Sequence, residues 1–390
     1  MSLAVETPQE TSLTPVEEPR LLFLYDGEFN IDNGVSNYIR TIGDYAMQQG
    51  CRVDYLVGKS AIDEPNVTSI AKTTPIHANG SCSIVPIYAS GRHIKEVVER
   101  INPDTVHVQL PFIPFMSGKV IKSFKPETTI VGTFHTPITQ GWLGAVNKIN
   151  SRLTRSTMKR FDHFYSVSEV AQAAAKSIYG VDSEILPCPI NLDHFRTDYQ
   201  AASTDKTVIT FLGRLVARKG ASNFIESLDL LNPAIQDSLQ IQIIGDGEDH
   251  QALERQVADS SLERSTTFFG KVDERRKFEL LAGSDIVACT SNGGESFGIV
   301  LAEAMAARRP VVLASDNAGY SEVLRDASES LVTKDSEAMA QRLAILIADP
   351  DKRQTIFEAQ QKVVQQFDIT QTIGPKLMHA YGFASKETEL

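Results

Sequence analysis

Three features are missing from this chain of 390 residues, and each absence excludes a class of protein. No apolar run approaches the roughly 18–20 residues that a membrane-spanning helix needs. The four cysteines form neither a Cys-x-x-Cys pair nor a Cys/His cluster, which argues against a structural zinc site and a disulfide framework. The Gly-x-Gly-x-x-Gly pattern of dinucleotide-binding folds is also missing, which makes a nicotinamide dehydrogenase the least favoured enzyme class.

The charge of the chain is acidic overall but uneven. The formal net charge of −11 disfavours nucleic acid as the main partner. Residues 20–200 contain 18 Lys+Arg and 17 Asp+Glu, whereas residues 201–390 contain 20 and 28. We therefore expect the first half to meet any anionic partner. Residues 1–19 are polar and acidic, resemble neither a signal nor a transit peptide, and are predicted to form a disordered tail.

Short apolar runs alternate with helix-like segments twice along the chain, which predicts an α/β protein with two doubly wound sheets. The predicted strands of the first half are Leu21–Asp26, Arg52–Val57, Ile84–Tyr88, Thr105–Leu110, Thr129–Thr133 and Phe164–Val167. Those of the second half are Thr207–Leu212, Leu239–Ile244, Thr267–Phe269, Asp285–Thr290 and Pro310–Ala314. The predicted helices Val35–Met47 and Ala221–Leu231 follow the first strand of each half.

This pattern predicts two Rossmann-like domains that face each other across a cleft. The predicted boundaries are a tail over 1–19, a first domain over 20–195, a linker over 196–206, a second domain over 207–364 and a final segment over 365–390. Ligands of such sheets bind beyond the carboxyl ends of the strands, so we expect the functional residues in strand-to-helix loops.

The most informative of these loops is the segment 292–306, NGGESFGIVLAEAMA, in which a glycine-rich turn precedes a predicted helix. The free N–H groups and positive dipole at a helix start suit a phosphate. Glu295 precedes the first turn and Glu303 lies two turns further on, so the segment is interpreted as a socket for a sugar linked to a diphosphate. An ordinary glycine turn before an amphipathic helix explains the spacing equally well.

A basic loop, GRLVARKG over residues 213–220, follows the first strand of the second half. Arg214 offers a planar fork for phosphate oxygens and Lys219 offers a point charge, so the two are predicted to stabilise a leaving diphosphate. A solvated basic turn is the commoner explanation for such a loop by itself. Its combination with Glu295 and Glu303 favours the functional interpretation.

Two loops of the first half complete the candidate site. His135 follows a predicted strand, where an imidazole can donate to a phosphate or sugar hydroxyl or titrate near neutral pH, although a structural histidine is the commoner case. Gly34 lies in the loop before the first predicted helix, where it lets the backbone approach an anion. A helix cap at Asp32 or Asn33 is the alternative for that loop.

A stripe of basic residues indicates a membrane contact. Lys148, Arg152, Arg155 and Lys159 are spaced to share one face of a helix, and Trp142, the sole tryptophan, lies just upstream. Basic amphipathic helices of this kind can lie on anionic membranes. A solvated helix face is the plainer alternative.

With these segments in view, residues 20–380 resemble the retaining family-four glycosyltransferases of the GT-B fold. The segment GGESFGIVLAEAMA has a form similar to that of the phosphatidyl-myo-inositol mannosyltransferases, which use GDP-mannose at the cytoplasmic membrane face. The resemblance implies that the last helix, after Gln366-Phe367-Asp368, crosses back to the first domain. It also implies that His135, in the segment TFHT, contacts the sugar.

The same resemblance implies a role for each residue of the donor site. Glu295 contacts the donor sugar, and Glu303 holds the nucleotide ribose. Gly213, Arg214 and Lys219 clamp the diphosphate, and Gly34 belongs to a second diphosphate loop. The remaining implied donor-binding residues are Ser296, Phe297, Gly298 and Ile299.

The resulting hypothesis is a retaining hexosyltransferase that moves mannose from GDP-mannose to a lipid acceptor, such as phosphatidyl-myo-inositol, at an anionic membrane surface. The catalytic set is His135, Arg214, Lys219 and Glu295. The alternatives left open are a UDP-hexose-dependent transferase acting on diacylglycerol or a soluble acceptor, a sugar-nucleotide epimerase on the same fold, and a catalytically silent binding protein.

No tightly bound cofactor or metal is expected, since no Asp-x-Asp motif lies in a matching loop, and Mg²⁺ is left open. The expected location is the cytoplasm, with peripheral attachment to the inner face of the plasma membrane left open.

Overall fold

The computed structural model describes residues 18–30, 34–61, 63–78, 81–112, 114–135, 142–195, 204–307 and 309–383. Within these ranges, the side chains of residues 76–78, 81–83 and 142–148 are not part of the description. The described residues contain two parallel sheets, one in each half of the chain. The predicted fold class of two Rossmann-like sheets is therefore confirmed.

The first half contains a seven-stranded sheet and a hairpin. Its strands are β1 (Arg20–Phe29), β2 (Arg52–Ser60), β3 (Val67–Ser69), β4 (Ala71–Ala78), β5 (Ser81–Ala89), β6 (Thr105–Leu110), β7 (Thr129–Phe134), β8 (His163–Ser166) and β9 (Glu184–Ile185). The sheet has the spatial order β3-β2-β1-β6-β7-β8-β9 with parallel pairings. The helices are α1 (Gly34–Gln48), α2 (Gly91–Ile101), α3 (Ser117–Ile121), α4 (Trp142–Met158) and α5 (Glu169–Ala174).

One predicted strand of this half belongs elsewhere. Residues 84–88 are expected in the parallel sheet, but they lie in β5, which pairs antiparallel with β4 as a separate two-stranded sheet. Pro75 and Pro86 lie within this hairpin. Proline has no N–H for a ladder hydrogen bond and is confined to edges and bulges, which accounts for the exclusion of both strands from the sheet interior.

The second half contains a six-stranded parallel sheet. Its strands are β10 (Thr207–Leu212), β11 (Leu239–Ile244), β12 (Thr266–Gly270), β13 (Ile286–Cys289), β14 (Val311–Ser315) and β15 (Leu331–Val332), in the order β12-β11-β10-β13-β14-β15. The helices are α6 (Ala221–Asp229), α7 (Pro233–Gln236), α8 (His250–Ala258), α9 (Glu274–Ala282), α10 (Ile299–Ala306), α11 (Ala318–Val323), α12 (Ser336–Ala348), α13 (Pro350–Val364) and α14 (Gly374–Ala380).

The central strands are buried on both faces. Every residue of β6, β13 and β14 is buried, which is why these strands read as continuous rather than alternating apolar runs. The apolar core of the first half continues without a break into α10 and the last helix. A second core fills the remainder of the second half.

The end of the chain packs against the first half. After α13, an isolated β-bridge joins Asp368 to Ile190, and α14 then contacts α1. The hydroxyl of Thr105 in β6 donates to the carbonyl oxygen of Tyr381 at 2.8 Å. The domain boundaries at 196–206 stay a prediction, since residues 196–203 lie outside the described residues.

Candidate active site between the two halves

The loop between β13 and α10 has a backbone that demands glycine. Gly298 caps α10 in the left-handed region at φ +84°, and a Cβ on it would lie 2.4 Å from the ring of Tyr320. A side chain at this position would therefore be strained by both its backbone and its neighbour. The loop thus presents the backbone at the start of α10 without a side chain over it.

The neighbouring loop between β10 and α6 is hydrogen-bonded to the loop between β13 and α10. Gly220 has φ +71°, and a Cβ on it would lie 2.0 Å from the carbonyl oxygen of Thr290. The Thr290 hydroxyl donates to the Gly220 carbonyl at 2.7 Å, and the Asn292 N–H donates to the Arg218 carbonyl at 2.8 Å. These bonds hold the basic loop beside the glycine-rich loop.

Glu295 joins the two loops through ion pairs. Its Oε1 accepts from Arg218 Nη1 at 2.8 Å, from Lys219 Nζ at 2.8 Å and from the Ser291 hydroxyl at 2.9 Å. The Glu295 side chain is 8% exposed, so this carboxylate is nearly out of water. All of these contacts fall on Oε1, which leaves Oε2 as the oxygen available to a ligand, as far as the described residues go.

The electrostatics keep this carboxylate ionised. Burial by itself acts to raise the pKa of Glu295, but the ammonium of Lys219 and the guanidinium of Arg218 outweigh it and hold the pKa below its usual value. Arg214 lies in the same field. Its pKa is lowered by desolvation and by Arg218, while Glu295 acts in the opposite direction. Arg214 and Lys219 of the basic loop and Glu295 of the glycine-rich loop are thus brought together.

Glu303 lies one further step along α10 and has a cationic partner. Lys277 on α9 donates from Nζ to Glu303 Oε1 at 2.7 Å, and the two side chains are only 15% and 12% exposed. Glu303 is therefore not on the wet face of an amphipathic helix, which was the plainer alternative for this residue. Its carboxylate faces the boundary between the two halves.

A cavity of about 310 Å³ lies at that boundary. Residues 37, 40, 41 and 44 of α1 line it from the first half, and their spacing places them on one helix face. Ile299 and Glu303 line it from α10. Its remaining walls are Pro189, Ile190, Asn191, His194, Phe195, Glu274 and Phe278. Ile299 and Glu303, the predicted donor residues of α10 that line it, therefore face a partly open space that both halves share.

His135 follows β7 on the first-half side. Its Nε2 lies 2.6 Å from Gln109 Oε1, and its ring meets the Tyr38 ring edge-on at a centroid distance of 4.6 Å. Burial lowers the pKa of His135 to about 3. Of the roles considered for this imidazole, titration near neutral pH is therefore disfavoured, because a charged ring would lose its hydration here without gaining an anionic partner among the described residues.

Gly34 begins α1 in an open position. A Cβ built on it meets nothing within 4 Å, so packing does not require glycine there. This is compatible with the predicted approach of a ligand to the backbone. Asp32 and Asn33, the alternative caps, lie outside the described residues.

The predicted basic stripe is on α4, and the side chains of Trp142 and Lys148 lie outside the description. Arg152, Arg155 and Lys159 are exposed. Ile149 and Leu153 are each 57% exposed, so the outward surface of α4 is apolar as well as basic. Two aromatic residues upstream of α4 differ in exposure, since Phe112 is buried and Phe115 is 55% exposed.

Contacts between the two halves are already formed in this structure. The Ser168 and Ser296 hydroxyls are 3.4 Å apart, and the rings of Phe297 and Phe367 pack edge-on at 5.1 Å. The Glu169 N–H donates to both carboxylate oxygens of Glu322 at 2.8 Å. Ser296, predicted as donor-binding, therefore also joins the halves, whereas Phe297 packs against Phe367 in the final segment of the chain.

Sequence reasoning missed two kinds of residue. Lys277 lies in the run Arg275-Arg276-Lys277, and nothing in that run marks which side chain faces Glu303. Gln109 and His107 carried a usable signal, since both are polar residues inside a strand that is buried throughout. Buried polar groups need partners, so two of them at i and i+2 indicate a hydrogen-bond network.

The described residues lack two further features. No group of three or more His, Cys, Asp or Glu side chains there is arranged to hold a metal ion. Within the same residues, none of the helices combines the length and apolar character that crossing a membrane requires. The predicted lack of a tightly bound metal stays a prediction.

Two family models match this chain, one in each half. The model described as Glycosyltransferase Family 4 matches residues 32–194, and the model described as Glycosyl transferases group 1 matches residues 196–363. With the two-sheet fold and the loops at the strand ends, these matches define the class. The chain belongs to the family-four glycosyltransferases of the GT-B fold.

Individual relatives add detail. The chain is 29% identical over 362 residues to the phosphatidyl-myo-inositol mannosyltransferase of Mycobacterium leprae, which covers 90% of this chain and 94% of the relative. It is 31% identical to a GDP-mannose-dependent monoacylated alpha-(1-6)-phosphatidylinositol monomannoside mannosyltransferase of Corynebacterium glutamicum, over 45% of this chain and 47% of the relative. A glycosyltransferase crystal structure from Rickettsia africae shares the fold, with a TM-score of 0.71, 16% identity and coverage of 93% and 98%.

Proposed function

We propose that this glycosyltransferase is a retaining enzyme that moves a mannosyl group from GDP-mannose to a membrane lipid of the phosphatidylinositol type. The observation that carries the proposal is the buried, ionised Glu295, anchored on one oxygen by Lys219 and Arg218. Such a carboxylate can accept hydrogen bonds from donor-sugar hydroxyls on its other oxygen, while the cations beside it meet the diphosphate.

The donor would lie along the start of α10 and into the cavity. Arg214 and Lys219 supply positive charge for the diphosphate, and the backbone freed by Gly298 offers N–H groups to it. Glu303, fixed by Lys277, supplies an acceptor for ribose hydroxyls at the cavity wall. The names of the two mannosyltransferase relatives support mannose, and the Corynebacterium name supports the guanine base.

Transfer would proceed on one face of the sugar. The bond from sugar C1 to the leaving phosphate oxygen breaks, the acceptor hydroxyl oxygen bonds to C1, and its proton passes to the leaving phosphate. Arg214 and Lys219 stabilise the charge that develops on that phosphate. Glu295 holds the sugar with its second carboxylate oxygen, and this route requires no side chain as nucleophile.

The lipid acceptor would approach along α4. Ile149 and Leu153 offer apolar surface beside the guanidinium groups of Arg152 and Arg155. This combination fits the interface of an anionic membrane, where apolar side chains enter the headgroup region and cations meet lipid phosphates. The acceptor's location thus agrees with the less acidic charge of the first half.

The first experiment incubates the enzyme with labelled GDP-mannose and vesicles containing phosphatidylinositol. We expect mass spectrometry to detect a mannosylated lipid. NMR of this product should show the same anomeric configuration as in the donor. A UDP-hexose used in preference to GDP-mannose rejects the mannosyl assignment. Conversion of the donor sugar without any acceptor rejects transfer in favour of epimerisation.

The second experiment tests the membrane contact by vesicle flotation. Arg152→Glu with Arg155→Glu should weaken binding to anionic vesicles by about 30-fold or more, at about 1 kcal/mol for each charge near the surface. Arg92→Glu with Lys95→Glu, on the exposed face of α2, makes the same charge change elsewhere and is the matched control. Equal loss in both double variants contradicts a role for α4.

A further inference from the structure

The hydrogen bonds of Gln109 define its orientation. Its Nε2 donates to the His107 carbonyl oxygen at 3.3 Å, and its Oε1 lies 2.6 Å from His135 Nε2. Turning the amide over would place its oxygen against that carbonyl oxygen, so that two acceptors would meet. Gln109 is 3% exposed, and water cannot relieve such a mismatch.

This orientation assigns the proton on the neighbouring ring. An amide oxygen only accepts, so Nε2 of a neutral His135 must carry the hydrogen and donate it. Among the described residues, His135 Nδ1 has no hydrogen-bond partner. The nitrogen left for a ligand is therefore the one with a lone pair.

We propose that Gln109 is a positioning residue that holds His135 as the neutral imidazole protonated on Nε2, so that Nδ1 accepts a hydrogen bond from a sugar hydroxyl of the substrate. In this form the ring cannot donate to a phosphate from Nδ1. His135 thus recognises a hydroxyl group, whereas recognition of the diphosphate belongs to Arg214 and Lys219 on the other half.

The surroundings of the ring hold it in this state. The titratable groups that face it among the described residues are Tyr38 on α1 and His107 on β6, and neither is an anion at neutral pH. Burial also holds the pKa of His135 at about 3, so the ring stays neutral through the physiological range.

A buried network fixes the neighbours in turn. The Tyr38 hydroxyl lies 3.2 Å from Thr133 Oγ1, which lies 2.7 Å from His107 Nε2. His107 Nδ1 meets the Tyr381 hydroxyl at 2.7 Å. The end of the chain therefore helps to hold the aromatic edge against which His135 rests.

The first test is NMR of the free protein labelled with ¹⁵N-histidine, with the His135 signals assigned by their loss in His135→Asn. We expect a pyrrole-type Nε2 and a pyridine-type Nδ1 that do not change between about pH 5.5 and about pH 8. A proton on Nδ1, or a titration midpoint in that range, overturns the proposal. This readout needs no substrate, so it stands even where the proposed transferase activity fails.

The second test changes the partner. Gln109→Glu places a carboxylate against Nε2–H, which stabilises the charged imidazolium and raises the pKa of His135. The NMR midpoint should move into the measured range, and kcat/KM should fall at acidic pH and recover at alkaline pH. Gln242→Glu, at a buried glutamine of β11 in the other half, is the matched control and should leave both profiles unchanged.

The third test separates the acceptor role from packing. His135→Asn keeps an oxygen near the position of Nδ1 and should retain at least about ten times the kcat/KM of His135→Leu, the ratio that one hydrogen bond of about 1.4 kcal/mol supports. Equal activity in the two variants, or a Gln109→Glu profile that matches the control, rejects the assigned role. This comparison rests on the proposed function for its assay.

Discussion

The functional loops of the two halves are built from opposite kinds of chemistry. On the second-half side, carboxylates are held by cations: Glu295 by Arg218 and Lys219, and Glu303 by Lys277. On the first-half side, His135 and the side chains around it form a neutral hydrogen-bonded cluster. The charged side suits an anionic diphosphate, and the neutral side suits hydroxyl groups. The contrast belongs to these loops and not to the whole cavity wall, since Arg40 and Asp44 line the cavity from the first half.

The variant with the largest expected effect removes the lysine that pairs with Glu295. Under the proposed function, Lys219→Met should lower kcat/KM by about 100-fold or more, since it would remove a cation that stabilises the leaving group and would loosen the carboxylate that holds the sugar. Lys334→Met is the control, because among the described residues Lys334 Nζ donates only to the Asn292 carbonyl, in the loop that contains Glu295. Near-normal turnover in a Lys219→Met variant with unchanged thermal unfolding rejects the site.

The second charged pair should have a smaller effect. Lys277→Met leaves Glu303 without its partner, and we expect about a tenfold loss in affinity for the nucleotide by calorimetry, with kcat little changed. Arg276→Met removes a neighbouring cation that faces Glu279 instead and should leave the affinity unchanged. If both variants bind alike, Glu303 does not depend on Lys277.

Substitutions at two glycines should affect donor binding and the unfolding free energy differently. Gly34→Val should leave the unfolding free energy within about 0.5 kcal/mol of the parent, since its surroundings are open, yet weaken donor binding several-fold. Gly220→Ala should destabilise the fold by about 2 kcal/mol, because its Cβ would clash with the carbonyl of Thr290. Denaturant melts and calorimetry on both variants measure this contrast. Weaker folding in Gly34→Val, with normal binding, contradicts it.

Much of the charged side follows from the sequence. The apolar runs of β10 and β13 predict strands, and the loops after neighbouring parallel strands meet at one edge of the sheet. Arg214, Lys219 and Glu295 were therefore predictable as neighbours. The partner of Glu303 was not, since the choice among Arg275, Arg276 and Lys277 depends on how α9 packs, with Leu280 and Leu281 turned inward.

The neutral side was harder to predict for a different reason. His135 could be placed at a strand end, but its protonation depends on burial and on Gln109, a residue 26 positions earlier in the chain. Local patterns do not contain that contact. The sequence did indicate that such a hydrogen bond was needed, because strand β6 is buried throughout and contains two polar residues.

The smallest expected effect concerns pH, and it also distinguishes the two sides. The pKa of Glu295 is depressed in the folded protein, so its ion pairs stabilise the fold above the ordinary carboxyl pKa of about 4.5 and lose this contribution as pH falls through the lower folded value. Glu295→Gln should flatten the acid limb of the unfolding free energy measured between about pH 3 and about pH 6. His135→Asn should also flatten that limb, and from a higher pH, since the unfolded histidine binds a proton below its ordinary pKa of about 6.5 while the folded ring, with a pKa lowered to about 3, stays neutral. An acid limb that His135→Asn leaves unchanged would show that the folded ring takes up its proton as readily as the unfolded one, and an acid limb that Glu295→Gln leaves unchanged would contradict the depressed pKa of Glu295.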